Sequence, residues 1–235
     1  MDNEETTAAF IRSAEPVSAQ QAIELARKYI RDKEVEPFRE IIKHIPQDNL
    51  SALLAVAFKR IEAAQEHTHN YYSGLVHGRI ARDKNMEQSL YAKRESAFVK
   101  FKFFADILID AGAQIGWRNH KGENFMHRCA RWNAHDVIKW AVVEKKFTGI
   151  DDLVTGDSHR GYTALHIACG EKSIDSALEL VRLGADFKIL TPGGKEPGEL
   201  LKGDHLQDEF YDACHKMIIA ENADQKLPEP VPQSL

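Results

Sequence analysis

The chain has 235 residues, 43% of them hydrophobic, which is enough for one extended core or for two small cores that merge. Its 31 basic and 36 acidic side chains give a formal charge of −5, which argues against nucleic acid as the main partner. Neither the acidic start, Met1 to Glu5, nor the longest apolar run, Ala52 to Phe58, predicts a signal peptide or a membrane span.

Three widely spaced cysteines, Cys129, Cys169 and Cys214, form no C-x-x-C pair. This usage favours a reducing compartment. We therefore expect a soluble, cytoplasmic protein, and nothing in the sequence indicates a cofactor.

The first part of the chain shows helical periodicity throughout. After Ser18, apolar residues recur at three- and four-residue spacings as far as Tyr29, which predicts a helix that begins at Ser18. Pro37 can start a second helix, and Pro46 is expected to end it.

Two unusually long helices are predicted next. The first has Asp48 or Asn49 as its cap, and the second begins near Ile80 and runs to about Asp110. We expect them to form an antiparallel hairpin with its tip at Asn70 to His77. The apolar residues in phase along the second helix are Met86, Leu90, Ala97, Phe101, Phe104 and Leu108.

The most specific motif is the stretch from Gly161 to Asp186, which starts Gly-Tyr-Thr-Ala-Leu-His-Ile-Ala-Cys and ends Leu-Val-Arg-Leu-Gly-Ala-Asp. Thr163 can cap a helix, and His166 can bond the backbone of a neighbouring hairpin. Gly184 lies just past a helix end, where a positive φ is cheap only for glycine. The stretch resembles the ankyrin-repeat pattern G-x-T-P-L-H-x-A-A with a later L-L-x-x-G-A-D. It departs from that pattern at Ala164, Cys169 and Val181.

Weaker copies flank this stretch, as expected of a repeat that cannot bury its own apolar faces. Gly194, 33 residues after Gly161, starts a worn copy. Gly122, 39 residues before Gly161, starts another with six extra residues, which we place in the polar segment Lys145 to Asp157. Ile107 to Ala113 resembles the end of a further unit. The resemblance implies an all-α ankyrin-repeat solenoid of about three to four units, some degenerate, with a helical N-terminal portion and a long helical hairpin.

These patterns divide the chain into a flexible N-terminus (1–17), a helical region with the long hairpin (18–91), ankyrin repeats (92–220) and a Pro-rich tail (221–235). Residues 48–115 allow two interpretations. Either they are one ankyrin unit with stretched helices, or they belong to a short helical domain packed against the repeats.

Clusters of metal-ligating side chains have structural interpretations that we prefer. His67, His69 and His77 invite a metal hypothesis, but residues two apart on a helix diverge, and we predict no metal site. A group of acidic residues in the insertion does not match the spacing of an EF-hand loop, so a solvated insertion is preferred. This group is Asp151, Asp152 and Asp157.

No catalytic residue is predicted. His127 with Cys129, and His166 with Cys169, have the composition of base and nucleophile pairs, but each residue falls at a packing position of its repeat. Pro192 to Lys195 is glycine-rich without the P-loop pattern, and we interpret it as a hairpin turn.

The resemblance implies a protein-binding module, because ankyrin proteins bind partners through hairpin tips and through first-helix residues of the concave face. Carried over position by position, the predicted partner-binding residues are His120, Lys121, Glu123, Arg131 and Trp132 in one unit, and His159, Arg160, Tyr162, Gly170 and Glu171 in the next. Such a mixture is typical of interface hot spots, and an ordinary polar rim is the alternative. We expect Trp132 to be covered by a partner or by the insertion 145–157. Tyr71 and Tyr72, near the tip of the long hairpin, are predicted as a second contact site.

We interpret the chain as an adaptor that binds another protein, without nucleic acid or membrane insertion. Its few units, long hairpin and insertion resemble ankyrin effectors that intracellular bacteria deliver into host cells, which would place it in the host cytoplasm. Two alternatives stay open. One is an enzyme with an active site within residues 18–115, and the other is a regulatory subunit that uses the long hairpin to block a partner's site.

Overall fold

The computed structural model describes residues 18–76, 79–201 and 204–224, and every regular element in these ranges is a helix. The predicted all-α fold is thus confirmed. The chain forms two compact units, Met1–His120 and Lys121–Leu235. The predicted flexible N-terminus, and residues 225–235 of the predicted tail, lie outside the described residues. The division into four parts stays a prediction.

The first unit opens with helix α1 (Ala19–Asp32), followed by helix α2 (Val35–Ile41) and a 3-10 turn (Ile42–His44). Helix α1 begins directly after Ser18, which caps it: the Ser18 Oγ accepts a hydrogen bond from the backbone N–H of Gln21, and the Gln21 side chain accepts one from the Ser18 N–H at 3.0 Å. Pro37 lies in the first turn of α2, where its missing N–H costs no helical hydrogen bond.

Helices α3 (Gln47–Val76) and α4 (Lys84–Asp110) pack side by side and form the predicted long hairpin. Aromatic rings fill the seam; the centroids of Phe58 and Phe101 lie 5.8 Å apart with the rings edge to face. Helix α2 joins this core, because the Phe38 ring meets Phe104 at 5.0 Å.

Three details of the predicted hairpin are wrong. Helix α3 begins at Gln47, so that Asp48 lies in its first turn. Helix α4 begins at Lys84 and not near Ile80, because the Asp83 carboxylate accepts hydrogen bonds from the N–H groups of the first turn and fixes the helix start there. Met86 is 45% exposed, since the seam is closed by apolar side chains only from Leu90 onward.

The end of the hairpin is held by polar contacts. Residues 70–76 continue α3 as helix, although the sequence predicted a tip there, and His77 lies outside the described residues. The Tyr71 hydroxyl accepts a hydrogen bond from the Asp83 N–H at 2.8 Å and lies 3.1 Å from the Asp83 carbonyl oxygen, to which it can donate. This pair of contacts ties the end of α3 to the start of α4.

The second unit is a succession of short helix pairs. Helix α5 packs on α7, α6 packs on α8, and α8 packs on α9. Its helices are α5 (Phe125–Arg131), α6 (His135–Lys139) with a π-helical turn (Trp140–Glu144), α7 (Ala164–Gly170), α8 (Ile174–Arg182), a 3-10 turn (Pro197–Leu200) and α9 (Asp204–Asp224).

Residues with positive φ mark the repeat and locate the six extra residues. Gly184 (φ 92°) ends one helix pair, and Gly194 (φ 75°) follows ten residues later. Lys146 (φ 57°) holds the position of Gly184 in the preceding unit, but fifteen residues separate it from Gly161, so five extra residues lie in this hairpin. The sixth extra residue lies between Gly122 and Lys146. These two residues are 24 positions apart, whereas the equivalent residues of the next unit, Gly161 and Gly184, are 23 positions apart. It is accommodated where α6 widens into the π-helical turn.

The last unit has the polar outer face that a terminal repeat requires. Phe210 and Cys214 of α9 are buried, and His205, Asp208 and Glu209 are exposed, as predicted. Lys202 and the side chains of Asp204 and Ile218 lie outside the described residues.

Replacing Lys146 by glycine should stabilise the protein. A lysine with a φ of 57° bears left-handed strain of about 1–2 kcal/mol, which exceeds the cost of about 0.4–1 kcal/mol for the extra freedom of glycine in the unfolded chain. We expect Lys146→Gly to raise the free energy of unfolding in urea by about 0.5–1 kcal/mol.

The matched control is Lys145→Gly, because Lys145 has an ordinary φ of −93°. It should lower the free energy of unfolding. Equal destabilisation by both substitutions would show that Lys146 bears no conformational strain.

Candidate partner-binding surface

Buried histidines fix the start of each first helix. The Thr163 hydroxyl caps α7 by accepting from the His166 N–H, and His166 Nδ1 accepts from the Thr163 N–H at 3.1 Å. Asn124 and His127 form the same pair at the start of α5. With Nδ1 accepting, the proton of the neutral ring is on Nε2, so His127 Nε2 donates to the Asp152 carbonyl at 2.9 Å. The capping role predicted for Thr163 is confirmed by this geometry. The bond to the backbone of a neighbouring hairpin, which was predicted for His166, is made by His127.

The Nε2 atom of His166 differs from that of His127 in its hydrogen bonding. It is buried and faces the backbone of Ile189 and Lys195 in the next hairpin, without the close hydrogen bond that His127 makes. Burial lowers the pKa of His166, which keeps the ring neutral.

The hairpin between α6 and α7 packs backbone against backbone on the hairpin that precedes α5. The Thr155 N–H donates to the Gly122 carbonyl at 3.2 Å. A Cβ atom on Gly156 would lie 2.2 Å from the Lys121 carbonyl oxygen, and one on Gly122 would lie 2.1 Å from the Gly156 nitrogen. No side chain fits at either position, so these glycines set the closest approach of consecutive hairpins.

The insertion is bonded to the repeats, so the predicted solvated insertion is wrong for part of the segment. The Asp152 carboxylate accepts from the Asn124 side chain at 3.0 Å, and the Asp151 carboxylate accepts from the Asp186 N–H at 3.1 Å. Burial is the main cause that raises the pKa of Asp151. Asp157 is exposed and lies 3.8 Å from Arg160 instead. The three aspartates therefore do not converge on a common point.

The exposed predicted site residues are His120, Lys121, His159, Arg160, Gly170 and Glu171. Trp132 and Tyr162 are half-buried. The Tyr162 ring lies between the His159 ring, at 5.3 Å, and the His166 ring, at 5.5 Å. Trp132 ends α5, and its N–H donates to the Arg128 carbonyl at 3.2 Å. His159 at the hairpin tip thus packs on Tyr162, which in turn packs on the buried His166 ring.

Glu123 is not the exposed rim residue that the sequence suggested. It is only 5% exposed, because it pairs with the Arg131 guanidinium at 2.5 Å. Arg131 also binds Glu171 of the next unit at 2.9 Å. The three residues form an ionic bridge between consecutive repeats, and Arg131 is half-buried in it.

Tyr71 and Tyr72, predicted as a second contact site, lie in the last turns of α3. Their rings meet edge to face at 5.3 Å. Tyr72 is 46% exposed, whereas the hydroxyl group of Tyr71 is engaged with Asp83. His67 and His69 are both exposed on the same helix.

The buried cysteines are poor nucleophiles. Burial raises the pKa of Cys169 far above the ordinary value for a thiol and raises that of Cys214 to about 11, so both are thiols at neutral pH. Cys129 is buried as well. Within the described ranges, no three His, Cys, Asp or Glu side chains are grouped so that they could hold a metal ion.

Pro192 to Lys195 forms the predicted hairpin turn: the Thr191 N–H donates to the Lys195 carbonyl at 2.8 Å, and the Gly194 N–H donates to the Thr191 carbonyl at 2.9 Å.

Sequence reasoning missed the two partners that hold this surface in place, Gly156 and the Asp152 carbonyl. Gly156 lies outside the repeat motif, and a backbone carbonyl leaves no mark in a sequence. A possible signal for Gly156 was its position five residues before Gly161, at the edge of the insertion.

These features define a class of all-α repeat proteins whose units are helix pairs joined by stacked hairpins. Residues 97–191 match the family model described as ankyrin repeats, in three copies, and these residues are ankyrin repeats. The match starts within α4, so the second half of the long hairpin takes part in it. No curated protein matches the chain. Along the described part of the chain, no helix is both long enough and apolar enough to cross a membrane.

Gly156→Ala should destabilise the second unit by about 1–3 kcal/mol, because the added methyl group overlaps backbone atoms that cannot move independently. The control is Gly170→Ala at the end of α7, where no atom lies within 4 Å of the added Cβ. The control should be neutral or stabilising by up to about 1 kcal/mol, since alanine favours the helix. Thermal unfolding of the two variants tests this, and a neutral Gly156→Ala would contradict the close packing of the hairpins.

Protonation of His166 should make stability fall as the pH falls. Because the pKa of His166 is lowered by burial, the unfolded chain binds a proton below about pH 6.5 that the folded protein does not, and this proton favours unfolding. We expect His166→Asn to lose less unfolding free energy than the wild type between about pH 7.5 and about pH 5.5. The control His67→Asn, at an exposed histidine, should keep the wild-type slope. Parallel slopes for all three proteins would refute the assignment.

Proposed function

We propose that the chain is an adaptor that binds a partner protein through the hairpin tip around Arg160 and the adjoining ends of α5 and α7. Ankyrin repeats are protein-interaction modules, and residues 97–191 are such repeats. The observation that carries the proposal is the rigid backbone of the hairpin tip. Exposed His159 and Arg160 stand on a backbone fixed by hairpin contacts, so they are presented with little loss of freedom on binding.

Backbone hydrogen bonds support this rigid presentation. The Val154 N–H donates to the Tyr162 carbonyl at 2.8 Å, and the Gly161 N–H donates to the Val154 carbonyl at 2.9 Å. Val154 itself is buried. The six residues between Val154 and Gly161 are therefore held at both ends by these hydrogen bonds, as preorganised recognition loops are.

The proposed contact residues divide into two roles. His120, Lys121, His159, Arg160, Tyr162, Trp132 and Glu171 contact the partner. Glu123 positions Arg131, whose remaining surface faces the partner. Truncation of Arg131 would leave the buried Glu123 carboxylate without its ion pair, so a loss of binding in such a variant would not separate recognition from folding.

The enzyme, effector and site-blocking interpretations have less support than the adaptor. An enzyme within residues 18–115 would need polar groups that converge on one point. The groove found there is lined by aliphatic side chains together with Arg39, Gln47, Asp110 and the Glu40–Lys43 ion pair, whose atoms are 2.8 Å apart. The role as a delivered effector and the block of a partner's site by the long hairpin stay predictions from the sequence.

Arg160→Ala should weaken partner binding by about 1–3 kcal/mol, as truncation of an interface hot spot does. Partners are first captured from a cell lysate with the wild-type chain and identified by mass spectrometry. The affinity of each purified partner is then measured by calorimetry for the wild type and the variant. Because Arg160 is exposed and lies 3.8 Å from Asp157, the melting temperature should not change.

The chain offers a closely matched control in Arg27→Ala. Arg27 is also exposed and lies 3.9 Å from Glu24, three residues earlier, but it belongs to α1. It should leave the affinity unchanged. If all partners bind the Arg160 variant as tightly as the control, the hairpin tip is not the binding surface.

A further inference from the structure

His159, at the tip of the hairpin between α6 and α7, has a left-handed backbone away from any helix end. Its φ is 64°, a conformation that glycine adopts freely and that is costly for a residue with a Cβ atom. The other described non-glycine residues with a positive φ each follow the last turn of a helix, where this conformation commonly ends the helix. They are Lys33, Asn133, Lys146 and Lys172. Backbone strain outside such a structural position is typical of residues whose side chain has a function.

Two contacts fix the direction of the exposed His159 ring. The ring packs edge to face on Tyr162, with the centroids 5.3 Å apart. Its Nδ1 atom lies 3.0 Å from the Ser158 hydroxyl oxygen. When that hydroxyl donates to Nδ1, the proton of the neutral ring is on Nε2, and an imidazolium ring also has a proton on Nε2. The contact with Ser158 therefore leaves the Nε2–H group as the hydrogen-bond donor that the ring offers to a partner.

Arg160 adds a second donor beside His159. Its side chain is 70% exposed, and the carboxylate of Asp157 lies 3.8 Å from its guanidinium. Asp157 is fully exposed, and an ion pair between exposed side chains contributes little, so a carboxylate of a partner can displace it. The two glutamates of the proposed surface, Glu123 and Glu171, are both bound by Arg131. The tip therefore offers hydrogen-bond donors to a partner, and its one nearby carboxylate is weakly held.

We propose that the hairpin tip binds an acidic segment of the partner protein, whose carboxylates accept hydrogen bonds from the His159 Nε2–H group and from the Arg160 guanidinium. This inference rests on the proposed function, because it assigns a chemistry to the partner of the same surface. Hydrogen bonds to charged acceptors are the strong ones, and a donor whose direction is already fixed loses little freedom on binding. The formal charge of −5 disfavours nucleic acid phosphates as the acceptors.

A library of random peptides displayed on phage and selected on the intact chain tests the proposal. Peptides that bind the wild type more tightly than the Arg160→Ala variant are synthesised, and their affinities are measured by calorimetry. We expect each of these peptides to contain Asp or Glu residues. Replacing those residues by Asn or Gln should lower the affinity about tenfold, because the acceptor loses its charge.

Three variants of the chain and a matched control test the roles of the tip residues. His159→Phe should lower the affinity of the peptides about tenfold, because phenylalanine keeps a ring against Tyr162 and has no N–H group. His159→Asn should recover part of this loss, since asparagine tolerates a left-handed backbone and its amide can donate. Asp157→Asn should raise the affinity about threefold, because it removes the anion that competes for Arg160. The control Asp208→Asn makes the same charge change on an exposed residue of α9 and should have no effect.

The outcomes separate this inference from the proposed function. If no peptide depends on Arg160, the hairpin tip is not the binding surface, and both fail. If peptides that depend on Arg160 are neutral or basic, or if they bind the His159→Phe and Asp157→Asn variants as they bind the wild type, only the inference fails. Binding of single-stranded DNA that is lost in both His159→Phe and Arg160→Ala would show that the tip binds phosphate groups, and would also overturn it. Unchanged melting temperatures will show that the variants are folded, as expected for exposed positions.

Discussion

Contact between the backbones of consecutive hairpins is the constraint on which the rest of the second unit depends. A helix pair of this size cannot bury both of its apolar faces alone, so each pair must be held against its neighbour. At Gly122 and Gly156 the approach is too close for any Cβ atom. His127 adds a hydrogen bond from the start of α5 to the Asp152 carbonyl. These short-range contacts fix the distance between the hairpins and leave their tips exposed.

The same constraint explains how the unit accommodates six extra residues. A longer hairpin could extend into solvent, but Asp151 and Asp152 bind it back to Asp186 and Asn124. One extra residue enters the helix itself as a π-helical turn, and the chain leaves that turn at Lys146 in a left-handed conformation. The stacking geometry is therefore conserved while the chain length varies, because the strain is confined to one turn.

Charged residues contribute to the stacking of the second unit. In the second unit, Arg131 links Glu123 and Glu171 and joins two repeats, so charged residues that resemble a binding rim are partly structural. This ionic bridge stabilises the stack of repeats.

The sequence by itself determined the repeat. The spacing of Gly161 and Gly184 and the capping roles of Thr163 and His166 follow from local backbone requirements, which a sequence pattern records directly. Helical period also identified α3 and α4 and most of their buried residues. Only the tertiary structure decided that Glu123 is buried, that Gly156 cannot hold a side chain, and that the insertion is bonded to its neighbours. The reason is physical: burial, ion pairing and backbone contact join residues distant in sequence, and no local pattern specifies which of them meet.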